Sequence, residues 1–146
     1  MSHSDALARI LFIYAKLNPG IRYVQGMNEI LAVIYFVFWE HRHRGIIALD
    51  KLESDVFFCF SNLMAEIRNQ FMRELDEEEG GIDDKCKHMN EIIKVVDPDV
   101  VKKLDAEGVT PQFYAIRWIM LMFCQEFDIY NSSVIWDSLF SDENRF

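Results

Sequence analysis

The stretch Ile21–Ile30, "IRYVQGMNEI", sets a neutral amide, Gln25, directly before a glycine and at the mouth of an apolar run. From there Met27, Ile30, Leu31, Ile34 and Phe38 recur at a spacing close to 3.6, which predicts a helix over 26–39 with that face inward. Upstream, "NPG" at Asn18–Gly20 stops an earlier helix whose face is Leu7, Ile10, Leu11, Tyr14 and Leu17, with Ser4 as its N-cap. The stretch is therefore a junction between two amphipathic helices. The same period continues along nearly the whole chain and no strand-like alternation persists. The fold class is all-α, an irregular helical domain of about six to seven helices.

Downstream, a third helix is expected to start at Ser54 or Asp55 and to carry "VFFCFSNLMAEIRNQF" to about Arg73, too apolar to sit on a surface. "LDEEEGGIDD", Leu75–Asp84, crowds acids around two glycines and reads as a solvated loop. A helix over about 84–96 follows. Asp97–Pro98 is an N-cap followed by a proline at the first helical position, opening a short helix that ends at Gly108. The same signal at Thr110–Pro111 predicts a helix through "QFYAIRWIMLMFCQEF", and Ser132 or Ser133 is expected to cap a last helix, "VIWDSLF". No repeat and no linker divides the chain, so one domain over 1–146 is expected.

Composition narrows the partners. The chain has 146 residues, 51% of them apolar, enough for one core that buries roughly two-thirds of the surface exposed by the unfolded form. A net charge of -9, from 24 acids against 15 bases, disfavours nucleic acid and anionic membrane surfaces. The longest unbroken apolar run, Ile30 to Trp39, is ten residues, about half of what spans a bilayer, so no transmembrane segment is expected. Cys59, Cys86 and Cys124 are odd in number and widely spaced, which suits a reducing, cytoplasmic setting rather than a disulfide framework or a zinc site. The N-terminus lacks the basic and apolar pattern of a signal peptide.

Few side chains suggest chemistry. "HRHR", His41–Arg44, places two imidazoles at i and i+2 with no third ligand near, and reads as a solvated helix end, so no metal is expected. No nucleophile elbow and no glycine-rich phosphate loop is present, so the chain holds no nucleotide of its own. Arg117, on an apolar helix, needs a carboxylate partner if buried; Glu126 and Asp137 are the candidates for a structural ion pair, with the three tryptophans as core. Gln25 has no useful acid or base strength and can act only by aiming hydrogen bonds. Two uses fit: orienting a reacting group, or satisfying the open N–H groups of the helix beginning at Gly26.

"YVQGMNEI" at Tyr23–Ile30, preceded by "ILFIYAKLNPG" and followed by "FFCFSNLM", "PQFYAIRW", "CQEF" and "VIWDSLF", resembles the TBC domain, the family of Rab GTPase-activating proteins. The resemblance covers nearly the whole chain. It implies a GTPase activator whose partner, a Rab-family small GTPase, holds GTP and Mg itself, so the chain has no cofactor of its own. It assigns Gln25 the orienting of the hydrolytic water, with Tyr23 bracing the loop, Gly26 giving the partner's backbone close approach and Asn28 supporting loop or partner. It also implies an arginine finger in an I-x-x-D-x-x-R motif upstream of the glutamine. Residues 1–24 do not spell that motif, and Arg9 and Arg22 sit outside any copy of it. "IALDKLE", with Ile47, Asp50 and Glu53, lies downstream and ends in an acid where a cation is required. The resemblance thus implies the middle-to-late part of a TBC domain, with both ends cut, cytoplasmic and touching endomembranes only through its GTPase. The alternative is a helical module that binds a small GTPase or another partner without stimulating hydrolysis.

Overall fold

In a computed structural model of the chain, residues 2–42, 45, 48–71 and 81–143 are described. Helix α1, His3–Leu17, begins two residues earlier than Ser4 as N-cap would place it, because Ser2 and Asp5 form a reciprocal capping box. The Asp5 N–H donates to Ser2 Oγ at 3.2 Å, and the Ser2 N–H donates to Asp5 Oδ2 at 3.4 Å. Helix α2, Met27–Arg42, lies between α1, α3 (Leu52–Ile67) and α7 (Ile129–Ser141). Its Met27, Ile30 and Leu31 are fully buried, each contributing about 1.5–3 kcal/mol relative to exposure. Packing on three neighbours, more than helix propensity, holds it in place.

Helix α3 departs from its expected bounds. It starts at Leu52 and gives way at Arg68–Phe71 to a 3₁₀ turn. Only one face is buried, by Leu52, Val56, Phe60, Leu63, Met64 and Ile67, while Phe58 stays 64% exposed, so the helix does sit on a surface. Most of the acidic segment expected as a loop lies outside the described residues, but Ile82–Asp84 already form the first turn of α4, Ile82–Val96. Asp83 and Asp84 there face the positive end of the helix dipole. Helix α5, Pro98–Ala106, has the expected cap, with the Val100 N–H donating to Asp97 Oδ1 at 3.2 Å, and Gly108 follows at a positive φ of 69°.

The expected long helix after Thr110 is broken. Pro111–Phe113 is a 3₁₀ turn, α6 is only Ala115–Met120, and turns follow. Met122 and Phe123 occupy the left-handed region, with φ of 50° and 65°, which no continuing helix permits. Tertiary contacts hold that break: Trp136 Nε1 donates to the Met122 carbonyl at 2.8 Å in the buried interior. Helix α7 is capped by Asp128, not by Ser132 or Ser133, because the Asn131 N–H donates to Asp128 Oδ1 at 2.9 Å. Those serines instead donate to the Phe127 and Tyr130 carbonyls. Of the tryptophans Trp136 is core, whereas Trp39 and Trp118 are half-buried. A smaller cluster of Ile82, Cys86 and Ala115 joins α4 to α6, and Met120 packs on both clusters.

Candidate functional site

The junction between α1 and α2 is built almost entirely by its backbone. The Asn18 N–H and Nδ2 both donate to the Tyr14 carbonyl, at 3.0 and 2.9 Å, closing α1. The Asn18 carbonyl then accepts from the N–H groups of Ile21 and Arg22, at 3.1 and 2.8 Å, and Arg22 turns the chain with a φ of 61°. At the far side the Met27 N–H donates to the Val24 carbonyl at 3.2 Å, and the Gly26 carbonyl accepts from Glu29 and Ile30. The Val24 N–H is taken by the Met27 thioether at 3.3 Å. Gln25 is exposed, and its amide makes no hydrogen bond with a described residue. Among the described residues it does not cap α2.

The residues flanking Gln25 are held. Tyr23, half exposed at its ring, donates its hydroxyl to Asn28 Oδ1 at 3.1 Å, and Asn28 Nδ2 donates to Glu29 Oε1 at 3.1 Å. This chain ties the loop to the first turn of α2. Gly26 differs from what the resemblance implies. It is buried, with a φ of 103°, and a Cβ there would overlap Cδ2 of Leu121. The close approach it permits is internal, between the loop and the turn after α6. Leu121 had no signal in the sequence, because it reaches Gly26 only through the fold.

Gln25 borders a cleft of about 260 Å³ with Val24, Gln70, Phe71, Ile82, Ile116 and Met120. Gln70 is 7% exposed and, with its amide oriented to suit its neighbours, donates to the Ile119 carbonyl at 3.2 Å and accepts from Lys85 Nζ at 3.1 Å. A second amide thus lies committed in the wall of the cleft, beside the uncommitted one at its edge. Sequence reasoning passed over Gln70, since nothing in "IRNQF" marks it.

The remaining candidates lie elsewhere. Arg117 pairs with Glu126 at 2.6 Å, but its side chain keeps 55% exposure, so this is a surface pair and not a buried one. Asp137 is exposed and makes no ion pair among the described residues. Arg9 is tied to Glu53 at 2.6 Å, which joins α1 to α3 and holds the Glu53 carboxyl below its ordinary range. Glu53 ends the "LDKLE" stretch, and Ile47 lies outside the described residues. His41 Nδ1 donates to the Val37 carbonyl at 2.7 Å, and His43 also lies outside them. The three thiols are free, and burial pushes Cys124 up to about 12.

The Rab-GTPase-TBC domain family model matches residues 2–146. TBC1 domain family member 13 of Homo sapiens is 45% identical over 99% of this chain, which covers 36% of that protein. A TBC domain-containing protein of Schizosaccharomyces pombe is 38% identical over 98% of the chain and 23% of its own length. The crystal structure of the Ypt/Rab-GAP domain of Gyp1p superimposes with a TM-score of 0.72 at 24% identity, over 92% of this chain and 46% of that one. The chain thus spans about a third of the human relative. No described helix is long and apolar enough to cross a membrane. With a family model matched from end to end, the all-α fold of a solved Rab-GAP domain and the Tyr23–Asn28 motif at a helix mouth, the chain belongs to the Rab-GTPase-TBC domain family.

Proposed function

We propose that this chain supplies the water-orienting glutamine of a GTPase-activating domain for Rab-family small GTPases. The observation that carries the reading is Gln25 itself, an exposed amide with no hydrogen bond to a described residue, on a loop tied by its backbone to both flanking helices. A small GTPase hydrolyses GTP slowly because its water is poorly oriented and the charge developing on the phosphates is poorly compensated. A carboxamide supplies a donor and an acceptor at once, enough to align a water without taking its proton. The partner brings GTP and Mg; Tyr23 and Asn28 fix the loop that presents the amide. The protein then acts in the cytoplasm and meets endomembranes through its GTPase.

Hydrolysis also needs a cation at the phosphates, and the Arg9–Glu53 pair leaves Arg9 a poor candidate. That pair favours a second reading in which these residues bind a GTPase without accelerating it. Single-turnover GTP hydrolysis by the full-length protein across a Rab panel decides between them. For the first reading, Gln25→Ala should cut the stimulated rate about 10²-fold while Rab affinity and melting temperature stay near wild type, because a group used in the transition state is not needed for ground-state binding. A Rab whose own catalytic glutamine is replaced should still be stimulated. If that substitution abolishes stimulation, the trans-glutamine mechanism is wrong.

A further inference from the structure

Beside the loop, Phe12, Ala15, Lys16, Pro19, Arg22 and Tyr23 line an open hollow of about 560 Å³. Its floor is apolar, with Phe12 64% exposed and Lys16 Nζ lying 5.5 Å from the centre of the Phe12 ring. Its two cations are exposed. Among the described residues neither Lys16 nor Arg22 pairs with a carboxylate, whereas Arg9 and Arg117 both do. In a chain of net charge -9, two cations without an acidic partner lie beside the loop that presents Gln25. Arg22 is held there at some expense: its φ of 61° is one an arginine adopts rarely, and asparagine or glycine would fit the turn with less strain. The turn alone therefore does not explain an arginine.

Resting on the Rab reading above, we infer that Lys16 and Arg22 dock an acidic side chain of the GTPase, carried on the surface bordering its nucleotide site. The backbone between Arg22 and Gln25 spans at most about 11 Å, so a partner that brings its γ-phosphate to Gln25 must also bring its neighbouring surface over Arg22. A protein carboxylate fits better than a free anion. The hollow is shallow and open, and its cations are exposed rather than enclosed; such a site gains affinity only when the rest of an interface supplies burial. The apolar floor of Phe12, Ala15 and Pro19 supplies a part of that. Arg22 then acts as a positioning residue, and tunes which GTPase is accepted.

The test uses the full-length protein and a GTP-loaded Rab that it stimulates, with hydrolysis followed against activator concentration at several salt concentrations. Arg22→Asn removes the charge and keeps a residue tolerant of the left-handed turn; melting curves check that it folds, and Arg22→Gly serves as a second variant. Arg22→Asn should raise the half-saturating concentration about fivefold, leave the maximal rate within about twofold, and flatten the salt dependence, as loss of a rim charge does. Arg22→Lys should stay near wild type, and Arg22→Glu should be weaker than Arg22→Asn. Half-saturation and salt slope unchanged in Arg22→Asn would overturn the inference. A collapse of the maximal rate with unchanged half-saturation would also overturn it, since Arg22 would then act on the phosphates. If wild type stimulates no Rab, the hydrolysis reading fails by itself; binding of GTP-loaded Rabs to wild type and Arg22→Asn then decides the contact, and equal affinities overturn it.

Discussion

Replacing Gly26 by alanine tests the geometry that presents Gln25, and its effect can be worked out in two parts. The first is conformational. A φ of 103° suits glycine, and holding a residue with a Cβ there costs about 1–3 kcal/mol. The second is steric. The new Cβ would overlap Cδ2 of Leu121, which is 7% exposed, so the Leu121 side chain must shift within the packed interior. Forcing an extra methyl into such packing costs about 1–3 kcal/mol more. The sum, about 2–6 kcal/mol, is a large share of the roughly 5–15 kcal/mol that stabilises an ordinary domain. Urea denaturation of wild type and Gly26→Ala measures it directly.

The two parts separate in a double-mutant cycle with Leu121→Ala. Truncating Leu121 destabilises by itself, but it also removes the atom that the new Cβ would strike. Gly26→Ala should therefore be about 1–3 kcal/mol less damaging in the Leu121→Ala background, with the conformational part remaining. If Gly26→Ala loses under about 1 kcal/mol in wild type and the cycle shows no coupling, then Gly26 does not meet Leu121 in solution. The resemblance's role for Gly26, close approach by the partner, would regain its footing.

Three further outcomes are expected. Arg117→Ala should lower stability by less than about 1 kcal/mol, as exposed pairs do; a loss of several kcal/mol in urea denaturation would mean that the Arg117–Glu126 pair is buried in solution. The isolated 146-residue polypeptide should stimulate a Rab only weakly in single-turnover assays, since the lack of an arginine finger removes an effect on the order of 10³ to 10⁵; strong stimulation would identify an acting arginine among its residues. The hydrogen bonds from Asn131 hold the Asp128 carboxyl below its ordinary range, so its stabilisation of α7 is present above the unfolded value near pH ~4 and is lost as pH falls through the folded one. The melting advantage of wild type over Asp128→Asn should accordingly shrink on acidification, and an advantage that grows instead would refute the assignment of Asp128 as the cap.

Much of the architecture was legible because period and punctuation agree. Met27, Ile30, Leu31 and Ile34 announce the buried face of α2, and Asp97–Pro98 announces α5, since both signals are local. The misreadings share one physical origin. "QFYAIRWIMLMFCQEF" has the pattern of one helix, yet Met122, bonded through its carbonyl to Trp136, and Phe123 take left-handed conformations that local propensity opposes. Phe58 looked like core because a mean over the α3 segment hides which face carries which residue. Arg117 looked buried for the same reason. At the site, Gln25, Tyr23, Gly26 and Asn28 stood together in one motif, whereas Leu121 and Gln70 reach it only through the fold.

The contrast between Gln25 and its neighbours bears on how the loop could work. Tyr23 and Asn28 are fastened to each other, Gly26 is locked against Leu121, and the backbone from Asn18 to Gly26 is stitched to both flanking helices. The Gln25 amide, by contrast, makes no hydrogen bond with a described residue. A glutamine side chain gives up as much as about 2 kcal/mol of rotamer freedom when fixed, and no described residue fixes it. On the proposed reading, that ordering comes from the bound GTPase, whose water and phosphates supply hydrogen-bond partners for the amide. A rigid backbone places the amide to within its own reach, and the complex supplies the rest. If Gln25 acts as proposed, catalytic geometry exists only in the complex, and the amide's alignment, not its placement, is the step that a correct partner completes.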